Sequence, residues 1–126
     1  MKKILIVEDH ADIRKLIRMT LELEDFEIHE AVDADSGLAL ALELEPELML
    51  LDIMMPGEMD GLALCRHIKG HERLKAAKVV LLTARGQAQD VEAGREAGSD
   101  AYLVKPFGCL HLMNTIDSLL GQHKAS

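Results

Sequence analysis

The sequence ILIVED occupies residues Ile4–Asp9 and decides how the chain folds. Four consecutive apolar residues, three of them β-branched, are typical of a strand that is buried on both faces, and such strands belong to parallel sheets. Glu8 and Asp9 mark the point at which this strand leaves the apolar interior. Because both faces of the strand are apolar, helices are expected to cover the sheet on both sides.

Short apolar runs and longer amphipathic segments continue to alternate along the chain. Further strands are predicted at Phe26–Ala31, Leu48–Leu51, Val79–Leu82 and Ala101–Val104. Helices are predicted at Ala11–Glu24, Asp33–Leu44, Leu62–Lys69, Gln89–Ala97 and Gly108–Leu120. Strands that alternate with helices through short connections pair in parallel by right-handed crossovers, which predicts a single doubly wound α/β domain.

Several residues predict how these helices pack and end. One face of the first helix carries Ile13, Leu16, Ile17, Thr20 and Leu21 at helical spacing. Asp33 is suited to cap the N-terminus of the second helix, because its carboxylate can accept hydrogen bonds from the first turn. Pro46 stops that helix, and Gly98 is suited to cap the C-terminus of the fourth helix.

Composition restricts the classes of partner. The chain has 22 acidic and 14 basic residues and a formal net charge of −8, which argues against direct binding to nucleic acid or to an anionic membrane. Cys65 and Cys109 have neither CxxC spacing nor the pattern of a disulfide framework, which favours a reducing compartment. No apolar stretch approaches the ~18 residues of a membrane span. We therefore expect a cytoplasmic protein.

Polar residues follow four of the five predicted strands, at the edge where doubly wound sheets bind ligands. They are Glu8 and Asp9 after the first strand, Asp52 after the third, Thr83 after the fourth and Lys105 after the fifth. Clustered carboxylates repel one another unless a cation joins them, and Mg²⁺ accepts carboxylate, carbonyl and phosphate oxygens. Lys105 and Thr83 can bind a phosphoryl group, and a carboxylate can be the nucleophile of phosphoryl transfer. The pattern predicts an Mg²⁺-dependent phosphoryl-transfer site.

Four segments resemble the signature segments of the bacterial response-regulator receiver family. They are Ile4–Asp9, Leu50–Pro56, Leu81–Ala84 and Tyr102–Phe107, and they occur in the family's order. The resemblance implies a five-stranded parallel sheet in the order 2-1-3-4-5 with five helices, a receiver domain at residues 1–121 and a frayed polar tail at 122–126. It also implies a two-component (phosphorelay) system in which a sensor histidine kinase or a histidine phosphotransfer protein donates the phosphoryl group.

The resemblance assigns the metal-binding residues. Asp52 is the expected phosphoacceptor, with Glu8 and Asp9 as the acidic pair around Mg²⁺. Asp9 is expected to bind the ion directly and Glu8 through water, while Met54 supplies a backbone carbonyl. The domain is expected to catalyse only its own phosphorylation and slow dephosphorylation, and therefore not to be an enzyme in the usual sense.

The resemblance also assigns a phosphoryl-binding pair and a switch. Thr83 and Lys105 are expected to bind the phosphoryl oxygens, and Lys105–Pro106 is expected to be a cis peptide. On phosphorylation the Thr83 hydroxyl moves toward the phosphoryl group, and Tyr102 turns inward to fill the vacated space. The surface formed by helix 4, strand 5 and helix 5 then changes, and a downstream effector domain or target protein reads that change.

Some positions depart from common family patterns. The loop after the third strand is one residue longer than the usual Met-Pro-Gly-Met-Asp-Gly form, with Glu58 as the apparent insertion. Ala101 and Thr115 replace charged residues of the winged-helix subfamily's dimer, so we expect a monomer or a weak dimer. Met54 and Arg85 lie where the family tunes phosphoryl lifetime, and a bulky Met54 favours a long one.

Other functions remain as alternatives. A phosphatase of the haloacid-dehalogenase type also uses an aspartyl nucleophile, but it needs an acid where this chain has Met54. A flavodoxin-like carrier and a small GTPase need phosphate-binding loops that the sequence lacks. A non-phosphorylated pseudo-receiver, acting only as an interaction module, stays open. His67 and His71 have a spacing that suits a metal, although the solvated end of a helix explains them better.

Overall fold

The computed structural model describes the backbone of residues 1–84 and 88–121 and the side chains of residues 1–84 and 91–121. Arg85 and the predicted tail at 122–126 lie outside the described residues. The strands are β1 Lys2–Val7, β2 Phe26–Ala31, β3 Leu48–Asp52, β4 Lys78–Thr83 and β5 Ala101–Val104. The helices are α1 Ala11–Leu21, α2 Ala34–Leu44, α3 Gly61–Gly70, α4 Ala88–Glu96 and α5 Cys109–Leu120.

The strands form one parallel sheet in the order β2-β1-β3-β4-β5, which confirms the predicted topology. Successive residues of a strand point to opposite faces of the sheet, so each central strand supplies two apolar layers. In β1, Leu5 and Val7 pack with residues of α2 and α3, whereas Ile4 and Ile6 pack with residues of α1 and α5. The sheet is therefore covered on both faces, as the apolar runs predict.

Caps fix two helix ends as predicted. The Asp33 carboxylate accepts a hydrogen bond from the Ser36 backbone N–H at 2.8 Å, which caps the start of α2. Gly98 follows α4 with φ of +94°, and the Ser99 N–H bonds to the Gly94 carbonyl at 3.1 Å. Glycine adopts this left-handed conformation without strain, so it closes the helix.

The first helix differs from its prediction in length and in the burial of its apolar face. It ends at Leu21, and the N–H groups of Leu23 and Glu24 bond three residues back, which tightens the chain into a turn. Ile17 and Leu21 are buried, but Leu16 is 46% exposed at the edge of the face. No helix in residues 1–84 and 88–121 is long and apolar enough to cross a membrane.

Candidate phosphoryl-transfer site

The carboxyl ends of β1 and β3 place three carboxylates side by side. The strands pair so that Val7 lies opposite Leu51, and the acidic residues follow at the same edge of the sheet. Glu8 is fully buried and Asp52 is 2% exposed, and the carboxylate of Asp9 is about a quarter exposed. Together with His10 they offer four possible ligand atoms within 4.8 Å of one another. We call these four residues the carboxyl-edge cluster.

Lys105 connects the cluster to the end of β5. Its Nζ lies 2.8 Å from Glu8 Oε1 and 3.2 Å from Asp52 Oδ1. Its backbone N–H donates to the Thr83 carbonyl at 2.7 Å, and the Lys105–Pro106 peptide is cis. The lysine is largely buried, so its ammonium group faces the carboxylates in a region with little water. The structure thus brings together the residues that the strand ends predict.

The two oxygens of Asp52 have different surroundings. Oδ1 accepts a hydrogen bond from the Met54 backbone N–H at 3.2 Å and faces the Lys105 ammonium. Oδ2 is buried and accepts no hydrogen bond from any residue that the structure describes. Asp9 Oδ1 is also buried and accepts no hydrogen bond from the described residues, although His10 Nδ1 lies 3.3 Å away. Buried oxygens without donors are costly, so a cation fits here well.

The charges of the cluster displace its pKa values in opposite directions. Burial and the neighbouring Glu8 together raise the pKa of Asp52 to about 7, against the opposing effect of Lys105. The pKa of Glu8 falls to about 2, because hydrogen bonds from Lys105 and its other neighbours outweigh the effect of burial. The same ion pairs raise the pKa of Lys105 despite its burial. Such divergent values are typical of functional sites.

His10 belongs to this cluster, which the strand-end argument did not predict. Its backbone N–H and its Nδ1 both lie 3.1 Å from Glu8 Oε2. The hydrogen bond with Glu8 and the charge of Asp9 raise the pKa of His10. The signal in the sequence was its place directly after two acidic residues, at the N-cap of α1.

Arg14 is a second residue that the sequence argument missed. Its Nη1 donates to the backbone carbonyl of Glu8 at 2.9 Å and to that of Asp9 at 3.2 Å. The side chain of Glu30, on β2, accepts from Arg14 Nε at 3.2 Å and holds the guanidinium in place. Arg14 therefore fixes the backbone that presents the acidic pair.

Close packing at the start of α3 fixes the backbone of Asp52. A Cβ atom on Gly61 would lie 2.2 Å from the Asp52 carbonyl oxygen, so only glycine fits. The Gly61 N–H bonds to the Ile53 carbonyl at 3.0 Å, and Asp60 caps the helix through the Ala63 N–H. The loop with the predicted insertion ends in this contact.

The remaining predicted residues differ in exposure. Thr83 is buried at the end of β4, whereas Tyr102 on β5 is 45% exposed and the Met54 side chain is 71% exposed. Tyr102 pairs with Leu81 across the sheet. His67 and His71 lie outside every group of three possible metal-binding residues within the described part of the chain.

An apolar groove adjoins the cluster. Its lining residues are Ile13, Leu16, Lys105, Pro106 and Phe107. Lys105 therefore contributes to both the charged cluster and the groove. Leu16 is exposed and lines this groove, so an apolar side chain lies directly beside the site.

The family sequence model named response regulator receiver domain matches residues 4–117 of this chain. The chain belongs to this family. It is 44% identical over 118 residues to the transcriptional regulatory protein ResD of Bacillus subtilis, a match that covers 94% of this chain and 48% of ResD. This receiver chain thus spans about half the length of that relative. Membership makes it a receiver domain of two-component signal transduction, as the signature segments imply.

Solved structures agree with the fold. The chemotaxis protein CheY4 of Vibrio cholerae superimposes with a TM-score of 0.88 at 27% identity, covering 94% of this chain and 98% of that one. The receiver domain of the sensor histidine kinase PA1611 from Pseudomonas aeruginosa gives 0.87 at 26% identity and covers 96% and 98% of the two chains. That structure has a magnesium ion coordinated in its active-site cleft.

Proposed function

We propose that this receiver is a phosphoacceptor switch that takes a phosphoryl group from a histidine kinase or histidine phosphotransfer protein onto Asp52. The observation that carries the proposal is the Asp52 carboxylate. One of its oxygens faces Lys105 Nζ at 3.2 Å, while the other is buried and accepts no hydrogen bond from the described residues. An oriented carboxylate with a free oxygen beside a buried cation is equipped to be a nucleophile.

The transfer forms an acyl phosphate on Asp52. One oxygen of the Asp52 carboxylate attacks the phosphorus atom, while the other can stay with a bound divalent cation. The bond from phosphorus to the donor imidazole nitrogen breaks, and that nitrogen takes the electron pair. Lys105 then pairs with the phosphoryl oxygens in place of the carboxylate, and Thr83 donates its hydroxyl to them. No other substrate is turned over, since the product stays on the protein until water removes the phosphoryl group.

The carboxyl-edge cluster also fits Mg²⁺. Asp9 and Asp52 contribute the two buried oxygens described above, Met54 a backbone carbonyl, and Glu8 a contact through water. When bound, the ion neutralises charge on the transferring phosphoryl group. The magnesium ion in the related Pseudomonas aeruginosa receiver supports this assignment.

Labelling with acetyl phosphate and Mg²⁺, followed by intact-protein mass spectrometry, tests the proposal. We expect one hydroxylamine-sensitive phosphoryl group on the wild type and on Asp12→Asn, whose carboxylate is exposed on α1. Asp52→Asn should carry none. Unlabelled wild type would leave the pseudo-receiver alternative in its place, and equal labelling of Asp52→Asn would show that another residue accepts the phosphoryl group.

The output is proposed to pass through Thr83 and Tyr102 to the surface of α4, β5 and α5. Tyr102 is the one tyrosine of a sequence without tryptophan, so tyrosine fluorescence reports on this position alone. Adding beryllofluoride and Mg²⁺ should change the emission of the wild type, because the half-exposed ring turns inward. An emission change that persists in Asp52→Ala would refute this route.

Met54 is proposed to lengthen the life of the acyl phosphate. Its exposed side chain begins two residues from the phosphoacceptor and obstructs the approach of water. We expect Met54→Asn to lose phosphoryl label about tenfold faster, which corresponds to ~1.4 kcal/mol in the barrier. Equal rates of label loss in the two proteins would exclude this role.

The partner that supplies the phosphoryl group is proposed to dock beside the apolar groove. The groove presents Ile13, Leu16 and Phe107 next to Lys105, so a helix with an apolar face would bring its phosphohistidine to Asp52. We place this encounter in the cytoplasm and expect no direct contact of this domain with nucleic acid or membrane. Because Ala101 and Thr115 lack charge, we propose a monomer or weak dimer.

A further inference from the structure

We propose that His10 is itself a ligand of the divalent cation, so that the site favours transition ions such as Mn²⁺, which accept a nitrogen donor, over Mg²⁺. The inference rests on the proposed function, because it concerns the ion at the phosphoacceptor site. It goes beyond that function in adding a nitrogen donor to a set of oxygens, which changes the chemical class of ion that the site selects.

The distances allow His10 to share an ion with Asp9. His10 Nδ1 shares a hydrogen bond with Glu8 Oε2 at 3.1 Å and lies 3.3 Å from Asp9 Oδ1. An ion that takes the place of the Nδ1 proton would therefore meet the imidazole and the Asp9 carboxylate together. Two atoms bound at right angles to one ion, each at about 2.1 Å, lie about 3.0 Å apart. One ligand atom from each of the four residues, Asp52 included, lies within 4.8 Å of the others. The imidazole is therefore as close to the carboxylates as a shared ion requires.

An independent observation points to a cation here. Asp52 is 2% exposed, and its Oδ2 accepts no hydrogen bond from any residue that the structure describes. Lys105 and the Met54 N–H already face Oδ1, so it is the buried Oδ2 that needs a partner. Asp52 lies within the same group of possible ligands as His10. The oxygens alone suit Mg²⁺, whereas imidazole adds affinity for transition ions.

His10 is also free to adjust to an ion. Its side chain is 63% exposed, so the ring can rotate without disturbing packed neighbours. The backbone cannot follow, because its N–H donates to Glu8 Oε2 at 3.1 Å and the residue caps α1. His29 provides a matched control, since its Nε2 lies 2.7 Å from Glu27 Oε2 on β2, away from the carboxyl-edge cluster.

The experiment compares Mn²⁺ and Mg²⁺ affinities of the wild type, His10→Ala and His29→Ala. Mn²⁺ binding is followed by electron paramagnetic resonance and Mg²⁺ binding by competition. We expect His10→Ala to weaken Mn²⁺ binding by about tenfold and Mg²⁺ binding by less than about twofold, with His29→Ala unchanged. The bound Mn²⁺ should show spin-echo modulation from a directly coordinated nitrogen in the wild type and none in His10→Ala.

The outcomes separate this inference from the proposed function. Mn²⁺ bound without nitrogen modulation, or equally tightly by His10→Ala, overturns the inference, and Asp52 labelled by acetyl phosphate with Mg²⁺ keeps the phosphoacceptor proposal standing. Conversely, nitrogen modulation in a wild type that acetyl phosphate does not label would support the inference and overturn the phosphoacceptor proposal. If the wild type binds neither ion, the inference and the Mg²⁺ assignment both fail.

Discussion

At each end of the sheet a lysine lies against an aspartate, but the two ends differ in whether the charged groups have all their hydrogen-bond partners. At the amino ends of β4 and β5, Lys69 Nζ lies 2.8 Å from Asp100 Oδ2. Lys69 also donates to the Ala77 carbonyl, and Asp100 accepts from the Val79 N–H, each at 2.8 Å. We call this arrangement the amino-edge pair. At the carboxyl edge, Lys105 pairs with the buried carboxylates of both Glu8 and Asp52. Asp52 Oδ2 lacks a hydrogen-bond donor among the described residues.

The difference shows how one fold separates stability from function. In the amino-edge pair both charges have backbone partners, so burial costs little and the pair holds α3 against β4 and the segment before β5. In the carboxyl-edge cluster, carboxylates outnumber the lysine, and the cost of burying them appears in the raised pKa of Asp52. A bound cation, as proposed above, would remove that cost.

Breaking the amino-edge pair should have the largest effect on stability. Asp100→Ala leaves Lys69 without its carboxylate and removes the acceptor of the Val79 N–H. We expect a loss of about 3 kcal/mol in the free energy of unfolding, measured by urea denaturation. Glu72→Ala, which removes an exposed partner of Lys75, should cost less than about 0.5 kcal/mol. Similar losses in the two variants would contradict the comparison.

Neutralising the carboxyl-edge cluster should instead stabilise the protein. The pKa of Asp52 is raised from 3.8 to about 7, so the folded state binds more protons and stability falls as pH rises through this window. In EDTA, Asp52→Asn should be more stable than the wild type by about 2 kcal/mol at pH 8, and less so at pH 5. A gain that does not shrink on acidification would refute the assignment.

Adding the ion should have a smaller effect, confined to one end of the sheet. At ten times its dissociation constant, Mg²⁺ should stabilise the wild type by about 1.4 kcal/mol. The increment should persist in Asp100→Asn and largely disappear in Asp9→Asn, measured by thermal melting with and without EDTA. Its persistence in Asp9→Asn would show that the ion binds elsewhere.

Arg14 should have the smallest effect on stability, and its removal tests what holds the acidic pair in place. Arg14→Met removes the donors to the Glu8 and Asp9 carbonyls, and we expect a loss of about 1 kcal/mol in stability. Calorimetry should also show Mg²⁺ binding weakened about threefold. Arg18→Met, which also loses Glu30 but no such carbonyl, should keep full Mg²⁺ affinity.

The sequence predicted the fold and most of the cluster for one physical reason. Parallel strands end at a common edge, so residues that follow apolar runs, such as Asp52 and Lys105, must meet there. Asp33 and Gly98 were predictable because caps act within one turn of the chain. These features depend on position along the chain and not on details of packing.

Other features depended on contacts that the sequence does not display. Arg14 acts on the acidic pair because its long side chain folds back from α1, and its other partner Glu30 belongs to β2. Leu16 is exposed in a groove that it lines together with Pro106 and Phe107, which lie far away in the sequence. The early end of α1 was hidden because the residues after Leu21 include good helix formers, which tertiary structure forces into a turn.

The two apolar layers of the sheet have a consequence for how such a domain diversifies. Ile13 and Phe107, in the proposed docking groove, pack against the layer shared with α1 and α5. Gly61, which fixes the Asp52 backbone, begins α3 on the opposite layer. By strand alternation the Asp52 side chain shares the layer of Leu50 with the groove, whereas the contact that fixes its backbone lies on the opposite layer. Substitutions in the groove can therefore accumulate without disturbing that backbone contact. Duplicated copies of the domain could thus change the surface beside the site while keeping the backbone that presents Asp52.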